Sequence, residues 1–185
     1  MEDIKAVSLD VTQLNKPLPT IQVMADGTIV TSVTDALAIG SSIIESANYE
    51  IVYLYPPPLL VLASQLGLVE NTKMFIERGG RVRGIADFSY PYIKEIQQRL
   101  GTGADMRYFP QYQGIFMLVG DRKESISSMN VDVESLSIDT PVVALWSDNL
   151  TYAEYLLSTF ELAWEQAIPA ARRIEELLKA GPPNI

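Results

Sequence analysis

Between Glu50 and Phe88 the chain carries a pattern that few folds can accommodate. EIVYLY (50–55) is an unbroken β-branched and aromatic run, as expected of a strand covered on both faces. Pro56-Pro57-Pro58 ends it, because proline cannot donate to a strand ladder and forces an extended exit. A helix is expected from about Leu59 to Arg78, stopped by Gly79-Gly80, and RVRGIADF (81–88) reads as the next strand. Strand, helix and strand in that order make a β-α-β unit with a right-handed crossover.

The pattern continues on both sides. Upstream, IQVMA (21–25) and TIVTSV (28–33) read as two strands around the turn Ala25-Asp26-Gly27-Thr28, with Thr34 or Asp35 capping a helix to about Ser46. Downstream, Tyr90–Leu100 is predicted helical. DMRYFP (105–110), GIFMLVGD (114–121), SISSMNV (125–131) and TPVVALWSD (140–148) follow as strands. A helix from Asn149 to about Ala167 carries Phe160 and Trp164 on its inner stripe, and an amphipathic helix after Pro169 ends at Gly181-Pro182-Pro183. The predicted class is α/β: a mixed sheet flanked by helices, with a long C-terminal helix. Residues 1–34 are expected as a strand/hairpin segment packed on a core of residues 35–168, with 169–185 as helix and tail, one globular unit overall.

Composition removes whole classes of chemistry. The 185 residues include no cysteine and no histidine, so thiolate nucleophiles, Cys/His zinc sites and imidazole catalysis are impossible. No DxDxDG loop or carboxylate cluster suggests a metal, and no cofactor is expected. The longest apolar run, Leu59–Val69, is too short for a membrane span, and no signal peptide is visible; a cytoplasmic protein with no membrane partner is expected. A formal charge of −9 leads to the expectation of no direct nucleic-acid contact.

Two stretches resemble a known family. FIERGGRVRGIADF (75–88) resembles the "ERG-V-VR" segment of phospholipase D-like domains. Residues 142–177 are similar to the ends of archaeal sensor domains, found in sugar-responsive TrmB-type transcription regulators and archaeal sensor histidine kinases. The matching residues are Trp146-Ser147-Asp148-Asn149, then Phe160, Trp164, Ala167, Pro169, Ala170, Arg173 and Ile174. The resemblance implies a phospholipase D-like fold over about Asp35 to Leu178. Active members carry H-x-K-x4-D, in which histidine attacks phosphorus and lysine stabilises the phosphoryl oxygens. Setting their aspartate on Asp121 puts Gly114 at the histidine position and Phe116 at the lysine position, with Ser127-Ser128-Met129-Asn130 near the following turn. The scaffold is expected without its nucleophile, so no catalytic residue is assigned.

What remains is expected to be sensory or regulatory. A small molecule or anion would bind in the crevice beyond the strand C-termini, where α/β sheets usually hold ligands. The candidate ligand-binding residues are Tyr55, Arg83, Tyr90, Tyr92, Arg107, Phe116, Trp146 and Asp148. For the aromatics core packing competes, and for the arginines salt bridges; Asp121, outside this set, reads as a turn-forming residue. The C-terminal helix would signal to an output domain or partner protein, or form a homodimer seam. The alternative is a pure interaction or dimerisation module without a small ligand. An enzyme working with carboxylates and lysine alone ranks last.

Overall fold

The computed structural model describes residues 27–110, 115–128, 131 and 136–182. The expected strand IQVMA and its adjoining turn through Asp26 lie outside these residues. The described chain runs β1 (Gly27–Ser32), α1 (Val33–Ser46), β2 (Glu50–Leu54), α2 (Pro57–Gln65), α3 (Leu68–Glu77), β3 (Arg81–Ala86) and a 3-10 turn (Tyr90–Tyr92). It continues with α4 (Ile93–Gly101), β4 (Asp105–Tyr108), β5 (Phe116–Gly120), β6 (Glu124–Ser128), β7 (Pro141–Ser147), α5 (Leu150–Gln166), β8 (Ile168–Pro169) and α6 (Ala170–Ala180).

The eight strands form one mixed sheet in the order β1-β7-β6-β5-β2-β3-β4-β8. β2, β3 and β4 are parallel, while β5 pairs antiparallel with β2. β6, β7 and β1 then alternate in direction, and β8 runs against β4. Strands β1, β2, β3, β4 and β6 therefore all point to one end of the sheet, and β5, β7 and β8 to the other. α1 to α4 and α6 cover one face, with a core that includes Ile43, Ile51, Leu60, Phe75, Leu118 and Ile174. α5 covers the other, burying Val52, Ile85, Val119, Phe160 and Trp164. β5 lies inside the sheet and is buried at every residue, as expected for a strand covered on both faces. Gly84 in β3 is required by packing, since a Cβ there would stand 2.5 Å from the Tyr53 ring and 2.6 Å from Met106 Sδ.

Several boundaries differ from expectation, among them Tyr90–Tyr92, a 3-10 turn ahead of α4, and β8, which was not expected; two others have clear local causes. The single helix predicted from Leu59 to Arg78 is two helices bent by 81°. Gly67, at φ 83°, adopts a left-handed conformation that ends α2 and precedes α3. The cap of α1 is Ser32, whose Oγ accepts from the Asp35 backbone N–H at 3.0 Å, so Thr34 and Asp35 already lie within the first turn. No single helix among the described residues is long and apolar enough to cross a membrane.

The β5–β6 connection is a tight turn closed by Lys123 N–H donating to Gly120 O at 2.9 Å, with Asp121 at φ 50° and Arg122 at φ 61°. Aspartate tolerates that conformation, whereas arginine gains nothing local from it. The Arg122–Glu154 ion pair is exposed and 3.7 Å long, so it offsets little. Arg122→Gly is therefore expected to raise stability by about 0.5–1 kcal/mol in urea unfolding. A loss of stability on this change would show that the ion pair outweighs the backbone strain.

Candidate functional site

The end of the sheet where β2, β3, β4 and β6 finish is aromatic. Tyr55, one residue past β2, is 4 % exposed and meets Phe116 of β5 edge-on, with ring centroids 6.3 Å apart. Tyr53 lies 5.0 Å from Tyr55, and its hydroxyl donates to Met106 Sδ on β4 at 2.9 Å. Burial pushes both phenols well above the ordinary range, and the nearby Arg99 guanidinium only partly opposes it. Phe88 and Tyr108 make a second edge-on pair at 5.4 Å, and Tyr90 and Tyr92 sit half-buried in the 3-10 turn beside them.

Phe116 is the residue that the resemblance sets at the family's lysine position. It is 3 % exposed and fills the strand end with an apolar ring where active relatives of the resembling family place a lysine. Directly across from it stands Ser128 of β6, itself 4 % exposed, whose Oγ is buried without a hydrogen-bond partner. Gly114, at the histidine position, lies outside the described residues.

The eight candidate residues fall into three places. Tyr55, Tyr90, Tyr92 and Phe116 share this aromatic end. Arg83 and Arg107 belong to the opposite face, where they fasten α5 to the sheet. Arg83 donates Nη1 and Nη2 to the two carboxylate oxygens of Glu161 at 2.9 and 2.6 Å, and Nε to Glu50 at 2.9 Å. Those hydrogen bonds hold the Glu161 carboxyl below its usual range despite burial. Arg107 lies 4.1 Å from the Trp164 ring centroid and donates to Trp164 O at 2.9 Å. Trp146 and Asp148 sit at the far end of the sheet, because β7 runs opposite to β2. There Trp146 Nε1 donates to Glu124 at 2.7 Å, and Asp148 is exposed ahead of the Asn149 helix cap.

Asp121, at that same far end, is a structural clamp. Its carboxylate accepts the backbone N–H groups of Asn48, Tyr49 and Glu50 at 2.7, 2.8 and 2.9 Å, tying the β5–β6 turn to the start of β2. Burial would raise its pKa, but the three backbone donors and Lys123 outweigh that and lower it.

Sequence reasoning missed one connection. The guanidinium of Arg173, on α6, lies 4.5 Å from the Tyr108 ring centroid, and burial together with the nearby Asp87 carboxylate raises the Tyr108 phenol above its ordinary range. Arg173 also pairs with Glu176 at 3.6 Å, while its Nε is buried without a partner. The C-terminal helix thus rests on the aromatic end of the sheet. Arg173 stood in the resembling motif, but nothing in the motif names Tyr108 as its contact.

No family model matches the chain, and no curated protein matches it. Solved structures do. TrmBL2, an archaeal chromatin protein whose structure shows a novel mode of DNA binding, superposes with TM-score 0.61 at 15% identity. The match covers 86% of this chain and 58% of that one, so the chain spans little more than half of TrmBL2. Nuc from Salmonella typhimurium, a phospholipase D family member, gives TM-score 0.57 at 13% identity over 77% of this chain and 97% of its own. NucT from Helicobacter pylori gives 0.58 at 16% over 77% and 98%. The chain therefore has the phospholipase D-like fold that residues 75–88 and 142–177 suggested. One expectation is corrected. A protein of this fold binds DNA, so a net charge of −9 is no ground for excluding nucleic-acid contact. Net charge sums over the whole surface, whereas phosphate contacts depend on local patches.

Proposed function

We propose that the chain is a non-catalytic regulatory domain whose aromatic sheet end acts as a conformational sensor read out by α6. The observation that carries this reading is the Arg173–Tyr108 stack, which anchors the C-terminal helix to the aromatic end of the sheet. Tyr55, Tyr53 and Met106 form a contiguous set of contacts from β2 to β4, next to Tyr108. A ligand that displaces any of them changes the seat of α6, and it shifts the equilibrium only by its differential affinity for the two states. With no histidine in the chain, the phosphohistidine route of active relatives is closed to it.

Tyr108→Ala is expected to leave the domain folded, since Tyr108 is only half-buried, and to speed amide hydrogen exchange in α6 about tenfold. Unchanged exchange in α6 would remove the proposed link. A thermal-shift screen of sugars, nucleotides, inorganic anions and duplex DNA then asks what the sensor reads. The DNA arm is included because TrmBL2 shares the fold.

A second reading, an interaction module, is favoured by exposed apolar side chains. Ile29 and Val143 are 68% and 70% exposed on neighbouring strands, and Tyr155 and Leu162 project from α5. Light scattering of the full chain separates the two readings: a dimer lost on Ile29→Lys would favour interaction, and a monomer would favour the sensor.

A further inference from the structure

We propose that the surface cavity between α1 and the α2–α3 elbow is a binding site for a neutral, ring-sized apolar molecule carrying a hydroxyl. The cavity holds about 300 Å³ and is lined by Thr34, Leu37, Ala38, Ser41, Leu66 and Leu68. That is at the lower end of small-molecule sites, and roughly twice the 150 Å³ that suffices for a benzene ring in an apolar cavity.

The walls select against anions. None of the six lining side chains is charged. The Ser41 hydroxyl donates to Glu45 at 3.2 Å, which puts a carboxylate behind the wall, and Asn71 also donates to that carboxylate at 3.0 Å. The helix ends framing the site offer no anion cradle either. At the start of α1 the Asp35 backbone N–H is taken by Ser32, and the Asp35 carboxylate adds negative charge there. At the start of α3, which supplies Leu68, the Glu70 and Asn71 N–H groups turn back to Gly67 O at 3.1 and 3.2 Å, and the Glu70 carboxylate adds negative charge to the first turn. Thr34, exposed at the rim, supplies the hydroxyl partner.

The cavity adjoins the aromatic sheet end. A Cβ on Gly40, between the lining residues Leu37 and Ser41 on α1, would stand 3.4 Å from the Tyr55 hydroxyl and 3.9 Å from the lining residue Leu68. The lining residue Leu68 and the Tyr55 hydroxyl thus flank the same buried glycine of α1. The site stands on its own walls, and only its effect on α6 rests on the regulatory reading above.

The test compares one ring in neutral and charged forms on the full chain: benzyl alcohol and cyclohexanol against benzoate and benzyl phosphate. Both neutral probes are expected to raise Tm by about 3 °C at about ten times their Kd. The anions should give no shift at equal concentration. Ala38 is exposed at the mouth, so Ala38→Trp is expected to fold normally and to abolish the neutral shift, while Ala38→Ser retains it. Equal or stronger anion binding, a neutral shift that survives Ala38→Trp, or no shift with any probe would overturn the site. Binding that Ala38→Trp removes but that leaves α6 exchange unchanged would uphold the site and sink the proposed relay.

Discussion

Glu161→Ala is expected to destabilise the domain by about 3 kcal/mol, lowering Tm by roughly 6–12 °C. The reason lies with the partner it leaves behind. The Arg83 side chain is 7% exposed, wedged between the sheet and α5, with its guanidinium 5.2 and 5.3 Å from the Phe160 and Trp164 ring centroids. Removing Glu161 strips two of its short hydrogen bonds and leaves Glu50 to balance a cation that water reaches poorly. Glu161 itself is 39% exposed, so some water enters, which sets the expectation at the low end of the range for a broken buried pair. Urea unfolding measures the loss. The double change Arg83→Met with Glu161→Leu should recover at least half of it, because apolar side chains of similar size need no charge partner. A Glu161→Ala protein within about 0.5 kcal/mol of the parent would show that α5 is held by apolar contacts alone.

Asp121→Ala is expected to cost about 2 kcal/mol, with Asp121→Asn costing about half as much. Alanine orphans three backbone donors that now share one carboxylate, while asparagine keeps an acceptor oxygen and loses the charge. The site is open enough for water to replace part of each bond, which keeps the figure near the lower bound for charged acceptors. The pH dependence follows from the direction of the shift. The folded carboxyl titrates below the 3.8 of a free side chain, so its contribution is complete above that value and drains away as pH falls through the lower folded one. The stability gap between parent and Asp121→Asn should be full at pH 7 and should shrink as pH falls below 3.8 toward the lower folded value. A gap that stays constant down to pH 3 would mean the carboxylate charge is not what the backbone donors hold.

The sequence was most informative where the physics is local. EIVYLY, the proline run and RVRGIADF sufficed for the β2–helix–β3 unit, and Asn149 was legible as the start of α5. Phe160 and Trp164, four apart, pack inward as their spacing implied. Gly67 misled because a lone glycine in an apolar helical run is tolerated as often as it breaks the helix. The candidate site was harder, because a strand's C-terminal end lies at the crevice only if the strand runs with β2. β7 does not, so Trp146 and Asp148 stand at the opposite end from Tyr55. For Arg83 both a salt bridge and an anion receptor were open from the sequence, and the salt-bridge partner, Glu161, lies 78 residues later. Nothing in either local segment encodes that pairing.

The two-residue strand β8 has a consequence for assembly. It covers the outer edge of β4 only at Arg107 and Tyr108, after which the chain turns away into α6. Pro169 occupies one of its two positions and offers no N–H to a further strand, and Asp105 puts an exposed charge at the start of β4. A neighbouring molecule's strand would meet a missing donor and then a carboxylate along this flank. Uncontrolled edge-to-edge stacking is discouraged there by two residues and a turn in the chain.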